Sequence, residues 1–329
     1  MYIFTERDIR ACVQLDLDVI GVIERAFVDL AEGKVTTPPI MRVDIPESHG
    51  EVDVKSAYVH GQETFAIKIS SGFFHNHALG LPTGNGMMTL ISAKTGVPIA
   101  LLLDNGYLTD VRTAAAGAVA AKHLANPHVR TAGVIGTGLQ ARYQAQALRL
   151  VRHYDELLVY GRSPSRAEEF AHEMCESLGV PVKVAHSAQA VVSQCDVLVT
   201  TTPARTPVVD WAWIHRGQHI TAMGSDAEHK HELDPAVLGN ADLVVCDLKS
   251  QCLRLGELHH AVEQKGIAED GVIELGDVVA GKHPGRVAEA QVSICDLTGT
   301  GVQDTAIAQL AFSRLRERGF GIQLDSAKE

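Results

Sequence analysis

The chain has 329 residues, 46% of them hydrophobic and 21% charged. That is enough to bury a sizeable core, and the length suggests two domains. A formal net charge of −11 repels nucleic acid and acidic membrane surfaces, so an anionic ligand has to be held by a local cluster of cations. No charged n-region precedes an apolar stretch, and no apolar run approaches the roughly 18 residues of a membrane span, which points to a cytoplasmic location.

Six cysteines, Cys12, Cys175, Cys195, Cys246, Cys252 and Cys295, show no C-x-x-C spacing and read as buried or inert thiols in a reducing compartment. Among sixteen histidines, the pairs His229/His231 and His259/His260 lack an H-E-x-x-H framework, so no metal site is expected.

Residues 5–13 and 18–32 read as helices; Ile20, Ile23, Phe27 and Leu30 form one stripe and Gly33 ends the second. From 41 to 103 the pattern changes to short alternating strands. Val52, Val54 and Tyr58 alternate in one; in the next, Phe65, Ile67 and Ile69 share a face opposite Ala66, Lys68 and Ser70. Apolar runs at 87–93 and 97–103 flank Lys94-Thr95-Gly96, a hairpin turn. This sheet is antiparallel or mixed. It carries Arg42, Lys55 and Lys68, each of which, taken alone, reads as a solvated strand-face cation. Arg112 is different. With Thr109 as N-cap of an Ala-rich helix, Arg112 falls in the first turn, where the helix dipole disfavours a cation and a bound carboxylate would turn the penalty into attraction.

A dinucleotide unit follows. The run 131–135 breaks at Gly136-Thr137-Gly138 and restarts as a helix with Ala141, matching G-x-G-x-x-A, and a second strand at 157–160 completes a βαβ unit. Gly136 permits the turn, Gly138 lets backbone N–H groups approach a pyrophosphate, and Ala141 lets helix and strand pack closely. Helices at 165–178 and 188–193 and strands at 182–185, 196–200, 219–223 and 241–246 continue a doubly wound parallel sheet, whose ligands lie at strand C-termini. Thr201-Thr202-Pro203 is therefore expected to line the nicotinamide side, and Asp226, beyond the 219–223 strand, reads either as an acid facing the reacting centre or as a loop-capping Asp. Residues 295–304 read as a stretch turning into an apolar helix, in which Gly299 and Gly301 either simply form a loop and helix start or admit the cofactor edge. Residues 325–329 read as a frayed tail. No acid follows the second dinucleotide strand; Gly161-Arg162-Ser163 stands there, so Arg162 can pair with a 2′-phosphate, which leans towards NADP or dual use and leaves NAD open.

Several stretches together resemble the ornithine cyclodeaminase/mu-crystallin family: Lys68 through Gly80-Leu81-Pro82-Thr83-Gly84, Thr95-Gly96-Val97-Pro98, Leu108-Thr109-Asp110-Val111-Arg112-Thr113-Ala114-Ala115, the Gly136 turn, Gly224-Ser225-Asp226, and Thr298-Gly299-Thr300-Gly301-Val302-Gln303-Asp304. The resemblance implies an α/β chain: a Rossmann doubly wound parallel sheet (126–304) plus a mixed α+β substrate-binding and dimerisation domain (1–125 and 305–329) that forms a homodimer. It places Arg42, Lys68 and Arg112 on the substrate α-carboxylate and Asp226 at the amino or imino nitrogen, with Lys68 and Asp226 as the catalytic pair. The residues expected at NAD(P)H are Thr113, Gly136, Thr137, Gly138, Leu139, Gln140, Arg162, Ser163, Thr201, Thr202, Met223, Gly224, Ser225 and Gly299. Cyclodeaminases of this family use a Glu on the strand before the Lys68 strand; the matching position, 13 residues before Lys68, is Lys55. A second cation there suits a substrate with two carboxylates, since an uncompensated cation cluster is costly. Ala227-Glu228-His229-Lys230 is similar to the branch of ectoine-utilisation proteins and iminosuccinate reductase. The expected activity is reduction of a small imino acid, first iminosuccinate to aspartate. The alternatives are an ornithine cyclodeaminase-type or cyclic ketimine reaction, and a non-catalytic NADPH-binding protein.

Overall fold

Residues 1–324 are described by a computed structural model of the chain; the tail expected at 325–329 lies outside the described residues. The chain begins with β1 (Tyr2–Thr5), α1 (Glu6–Cys12), α2 (Leu17–Ala31), β2 (Val35–Thr36) and β3 (Met41–Ile45). The side chains of Thr5 and Asp16 start the two helices by accepting from the Asp8 and Val19 N–H groups. Longer strands follow, β4 (Gly50–Val59), β5 (Thr64–Phe73), β6 (Gly84–Ser92) and β7 (Pro98–Leu103), then α3 (Tyr107–Leu124). β4 to β7 are successive antiparallel neighbours. The last hairpin closes with the Ser92 N–H donating to the Val97 carbonyl at 2.9 Å and Gly96 at φ 73°.

Next come β8 (Thr131–Ile135), α4 (Leu139–Val151), β9 (Glu156–Tyr160), α5 (Pro164–Leu178), β10 (Val182–Val184), α6 (Ala188–Val192), β11 (Val197–Thr200) and β12 (His219–Ala222). After α7 (Pro235–Asn240) the chain forms β13 (Leu243–Cys246), α8 (Lys249–Cys252), α9 (Gly256–Glu263), β14 (Val272–Glu274), α10 (Leu275–Val279), β15 (Ser293–Asp296), α11 (Gly301–Glu317) and β16 (Ile322–Gln323). The chain divides into two units, Met1–Thr113 with the segment from Thr300 onward, and Ala114–Gly299.

In the second unit eight strands run in the order β10-β9-β8-β11-β12-β15-β13-β14, with parallel pairing throughout. The winding direction reverses between β8 and β11, the switch point at which such sheets receive ligands. Both faces are covered: Leu198, Ile220, Val244 and Ile294 pack into one apolar cluster, Val134, Val159, Val197 and Val199 into another. The expected loop leading into a helix lies at 297–300, before α11 at Gly301, but Cys295 and Asp296 are strand and not loop. Ser293–Asp296 is a central strand between β12 and β13; all four residues are buried, so no alternation marks it.

In the first unit the order is β16-β1-β7-β6-β5-β4-β2, with β3 also on β4. Val52, Val54 and Tyr58, and Phe65, Ile67 and Ile69, do lie on one face, but they are only half-buried; Lys55, Ala57, Val59, Ala66 and Lys68 on the opposite face are the buried ones. Helix α11 explains why. Its first turns bury Gln303, Asp304 and Thr305 completely. Thr305 Oγ1 accepts from the Ala66 N–H at 3.0 Å and donates to the Ala57 carbonyl at 2.7 Å. A Cβ on Gly301 would stand 2.3 Å from the Ser56 carbonyl oxygen, so only glycine permits this approach. The helix expected to be apolar thus lays a polar strip against the cationic face.

Helix α3 also starts earlier than expected. Its first residue is Tyr107, not one after Thr109. Asp104 Oδ2 accepts from the Leu108 N–H at 2.7 Å and the Asp104 carbonyl from Tyr107 at 3.0 Å. Arg112 is therefore the sixth helical residue, outside the first turn, and the dipole argument for it does not apply.

Candidate active site

Lys55 and Lys68 face each other across the β4–β5 ladder. The Asp304 carboxylate on α11 reaches Lys68 Nζ at 3.0 Å through Oδ2 and Arg112 Nε at 2.9 Å through Oδ1. The Arg112 guanidinium also donates to Gln303 Oε1 at 3.1 Å. All are deep: Lys68 is 1% exposed, Arg112 5%, Lys55 6% and Asp304 0%. Burial pulls the Lys68 ammonium down to about 7, helped by the Arg112 and Lys55 charges and opposed by Asp304. Burial pushes Asp304 upward, but Arg112, Lys68 and Lys55 outweigh it and hold the carboxyl below its usual value. Three of the four predicted substrate cations thus come together, around a counter-charge to which the sequence reading gave no role. The cluster is partly compensated, which corrects the premise that its charge awaits two substrate carboxylates.

Arg42 stands apart. Opposite Asp53 in the β3–β4 ladder, it lies on the same sheet face as Lys55 and Lys68. Its guanidinium pairs with Asp44 at 3.0 Å, with Asp53 at 3.5 Å, and with Glu51. Those three acids, not Asp304, are its partners.

In the second unit Gly136 ends β8 with φ 121°, and a Cβ there would lie 2.3 Å from Thr201 Oγ1. Gly138 precedes α4 with extended backbone and open space around it, and no side chain caps the helix. Arg142 braces the turn by donating to the Thr137 carbonyl at 2.7 Å. Leu139 is 57% exposed. Arg162 is exposed and makes no ion pair among the described residues, while Ser163 precedes α5. At the ends of β11 and β12, Thr201, Thr202, Met223, Gly224 and Ser225 come side by side: Met223 N–H donates to Thr200 at 3.0 Å. The Ser225 hydroxyl is buried without a hydrogen-bond partner. Gly299 N–H donates to Asp247 Oδ2 at 2.7 Å. Uncapped N–H groups and open space at Gly138, beside the switch point, and an orphaned hydroxyl in the loop after β12, the next strand along, fit a dinucleotide.

Asp226 lies in the loop after β12 and pairs with Lys230 at 2.5 Å. Two further groups in this unit escaped sequence reasoning. Glu232, fully buried, accepts from Thr200, Thr202 and Gly224. Glu257 in turn accepts from the Glu232 and Leu233 N–H groups at 2.8 and 2.9 Å. Both are carboxylates in a chain rich in acids, so composition gave no signal. Nearby, His259, His260 and Glu263 bring potential ligand atoms within 4.8 Å of one another, but each ring already meets a main-chain carbonyl, of Gly256 or Lys230. All six cysteines are free, five buried and Cys175 exposed. No helix among the described residues is long and apolar enough to cross a membrane.

The sequence pattern of the ornithine cyclodeaminase/mu-crystallin family matches residues 2–319. The chain belongs to this family. Among relatives, an uncharacterised cyclodeaminase of Sinorhizobium fredii is 52% identical over 99% of both chains. Among solved structures, Thermococcus litoralis Δ1-pyrroline-2-carboxylate reductase, in complex with NADH and L-proline, superposes with a TM-score of 0.94 at 32% identity, covering 98% of this chain and 100% of that one. An archaeal alanine dehydrogenase dimer with bound NAD gives 0.91 at 33%, covering 99% of each. Iminosuccinate reductase of Paracoccus denitrificans in complex with NAD⁺ gives 0.89 at 30%, also covering 99% of each.

Proposed function

We propose that this member of the ornithine cyclodeaminase/mu-crystallin family is an NAD(P)H-dependent reductase of small α-imino acids. The observation that carries the reading is the Lys68–Asp304–Arg112 cluster, two cations held by one buried carboxylate. The bound dinucleotide supplies the hydride. Lys68 and Arg112 take the substrate α-carboxylate, and their burial strengthens that attraction. Asp304 fixes both cations before the ligand arrives. Asp226 orients the imino nitrogen and stabilises its charge. The N–H groups following Gly138 receive the pyrophosphate, the Thr201–Thr202 and Gly224–Ser225 loops meet the nicotinamide, and Arg162 meets the adenosine ribose or its 2′-phosphate.

Within this class the finer proposal is a dicarboxylic imine, iminosuccinate reduced to aspartate. Lys55, directly across from Lys68, supports it by offering a second carboxylate a cation. One observation favours a second reading. Asp304 already neutralises part of the cluster, which suits a monocarboxylic cyclic ketimine of the kind named for the Thermococcus neighbour. Freshly generated iminosuccinate and Δ1-pyrroline-2-carboxylate, each mixed with NADH and NADPH in stopped flow, separate the two. Faster consumption with iminosuccinate supports the dicarboxylate, and the reverse order the cyclic ketimine. No consumption in any arm overturns the reductase. A homodimer is part of the proposal: the half-buried face carrying Val54, Phe65, Ile67 and Ile69, continued by Met41 and Val43 at 58% and 49% exposure, supports association through that sheet.

A further inference from the structure

Glu232 is a fully buried carboxylate with four donors converging on it. Oε1 accepts from the Thr202 N–H at 2.6 Å and the Thr202 hydroxyl at 2.7 Å. Oε2 accepts from the Thr200 hydroxyl and the Gly224 N–H, both at 2.8 Å. The carboxyl therefore ties the end of β11 to the end of β12. The two loops touch closely: a Cβ on Gly224 would lie 2.3 Å from the Thr202 carbonyl oxygen and 2.5 Å from Glu232 Oε2. Glu232 is itself anchored, since its N–H and that of Leu233 donate to Glu257 on α9. Its carbonyl accepts from Val208 and Val209 at 2.7 and 3.1 Å. A buried acid of this kind, with no ion-pair partner among the described residues, is costly unless its lone pairs are used.

We infer that Glu232 is a positioning residue for hydride transfer, clamping the Thr201–Thr202 and Gly224–Asp226 loops in one fixed geometry. The inference rests on the reductase reading, because those loops matter only if the nicotinamide and the Asp226 carboxylate meet there. Each carboxyl oxygen holds one backbone N–H, which can only donate. A glutamine amide has one acceptor oxygen and one NH2 group, so in either orientation its NH2 confronts Thr202 N–H or Gly224 N–H and one loop is released. Neither Gly136 nor the uncapped start of α4 bonds to Glu232 itself, although Gly136 adjoins Thr201, so turnover falls much further than dinucleotide affinity.

The test compares wild type with Glu232→Gln. NADH affinity is read by fluorescence titration, kcat and KM by NADH consumption with the preferred imine, and the Thr202, Gly224 and Gly136 amides by hydrogen exchange. The expected result is an NADH Kd within threefold of wild type, kcat reduced at least 30-fold, and faster exchange at Thr202 or Gly224 with Gly136 unchanged. Should Glu232→Gln not yield folded protein, Thr202→Val removes one donor while keeping the side-chain shape. It is expected to lower kcat at least threefold more than it raises KM and to speed exchange at Thr202. A folded variant with kcat within threefold of wild type and unchanged exchange overturns the clamp. A wild type that binds neither NADH nor NADPH overturns the reductase reading instead.

Discussion

Asp304→Asn removes the one carboxylate that contacts both Lys68, at 3.0 Å, and Arg112, at 2.9 Å. Leaving a buried charge without its partner costs about 3–5 kcal/mol. Lys68 has an escape, because its folded pKa of about 7 lies far below the ~10.4 of an unfolded lysine. In the folded state the ammonium is thus a penalty fully present below about 7, and the penalty fades as pH rises towards the unfolded value. Asp304 raises that folded pKa, so its loss lowers it further, each unit being worth about 1.4 kcal/mol. The extra penalty appears only where Lys68 is still protonated in wild type. The stability gap between wild type and Asp304→Asn is therefore widest near pH 6 and shrinks by about 1–2 kcal/mol by pH 9, where Lys68 is neutral in both proteins and only Arg112 misses its partner. Asp304, held low, is ionised throughout this window. Urea unfolding at pH 6, 7.5 and 9 measures the gap. A gap below about 1 kcal/mol, or one that does not change with pH, would mean that Asp304 is not the counter-charge that Lys68 and Arg112 depend on.

Lys55→Glu places an acid across from Lys68 and should reduce kcat/KM for iminosuccinate at least tenfold more than for Δ1-pyrroline-2-carboxylate; equal losses contradict the two-carboxylate assignment. Arg162→Asp gives the exposed position after β9 an acceptor for ribose hydroxyls, and the NADH-to-NADPH ratio of kcat/KM should rise at least tenfold, an unchanged ratio dismissing Arg162 from the ribose end. Gly136→Ala combines a φ of 121° with a Cβ 2.3 Å from Thr201 Oγ1, so dinucleotide binding should weaken at least tenfold in calorimetry, and wild-type affinity would show that the turn is not the cofactor contact.

The parallel sheet was legible because its strands are apolar runs punctuated by glycines and separated by helical patterns, and the Gly136 turn carries a backbone requirement visible in sequence. Strand β15 was not, because a four-residue strand buried on both faces has no period to read. The face of β4 and β5 was misjudged for a related reason. Alternation identifies two faces and does not say which one a helix covers. Here Thr305 and Gly301 bring α11 onto the side carrying Lys55 and Lys68, so polar residues are inside and Phe65, Ile67 and Ile69 are half-exposed. Lys68 and Arg112 were singled out as cations, but their convergence depends on Asp304, more than 190 residues further along the chain than Arg112, a pairing that only the fold supplies. The Asp226–Lys230 ion pair, four residues apart in a loop, was not anticipated either, because without helical spacing the sequence does not say which side chains meet.

Hydride transfer to an imine carbon leaves an isotopic mark on the amino-acid product. NADH or NADPH carrying deuterium at the transferred C4 position is mixed with freshly generated iminosuccinate or Δ1-pyrroline-2-carboxylate, and the amino-acid product is analysed by mass spectrometry. Such transfer yields aspartate or proline with one deuterium on Cα, formed in step with oxidation of the dinucleotide. Unlabelled product, or none from either imine, contradicts it.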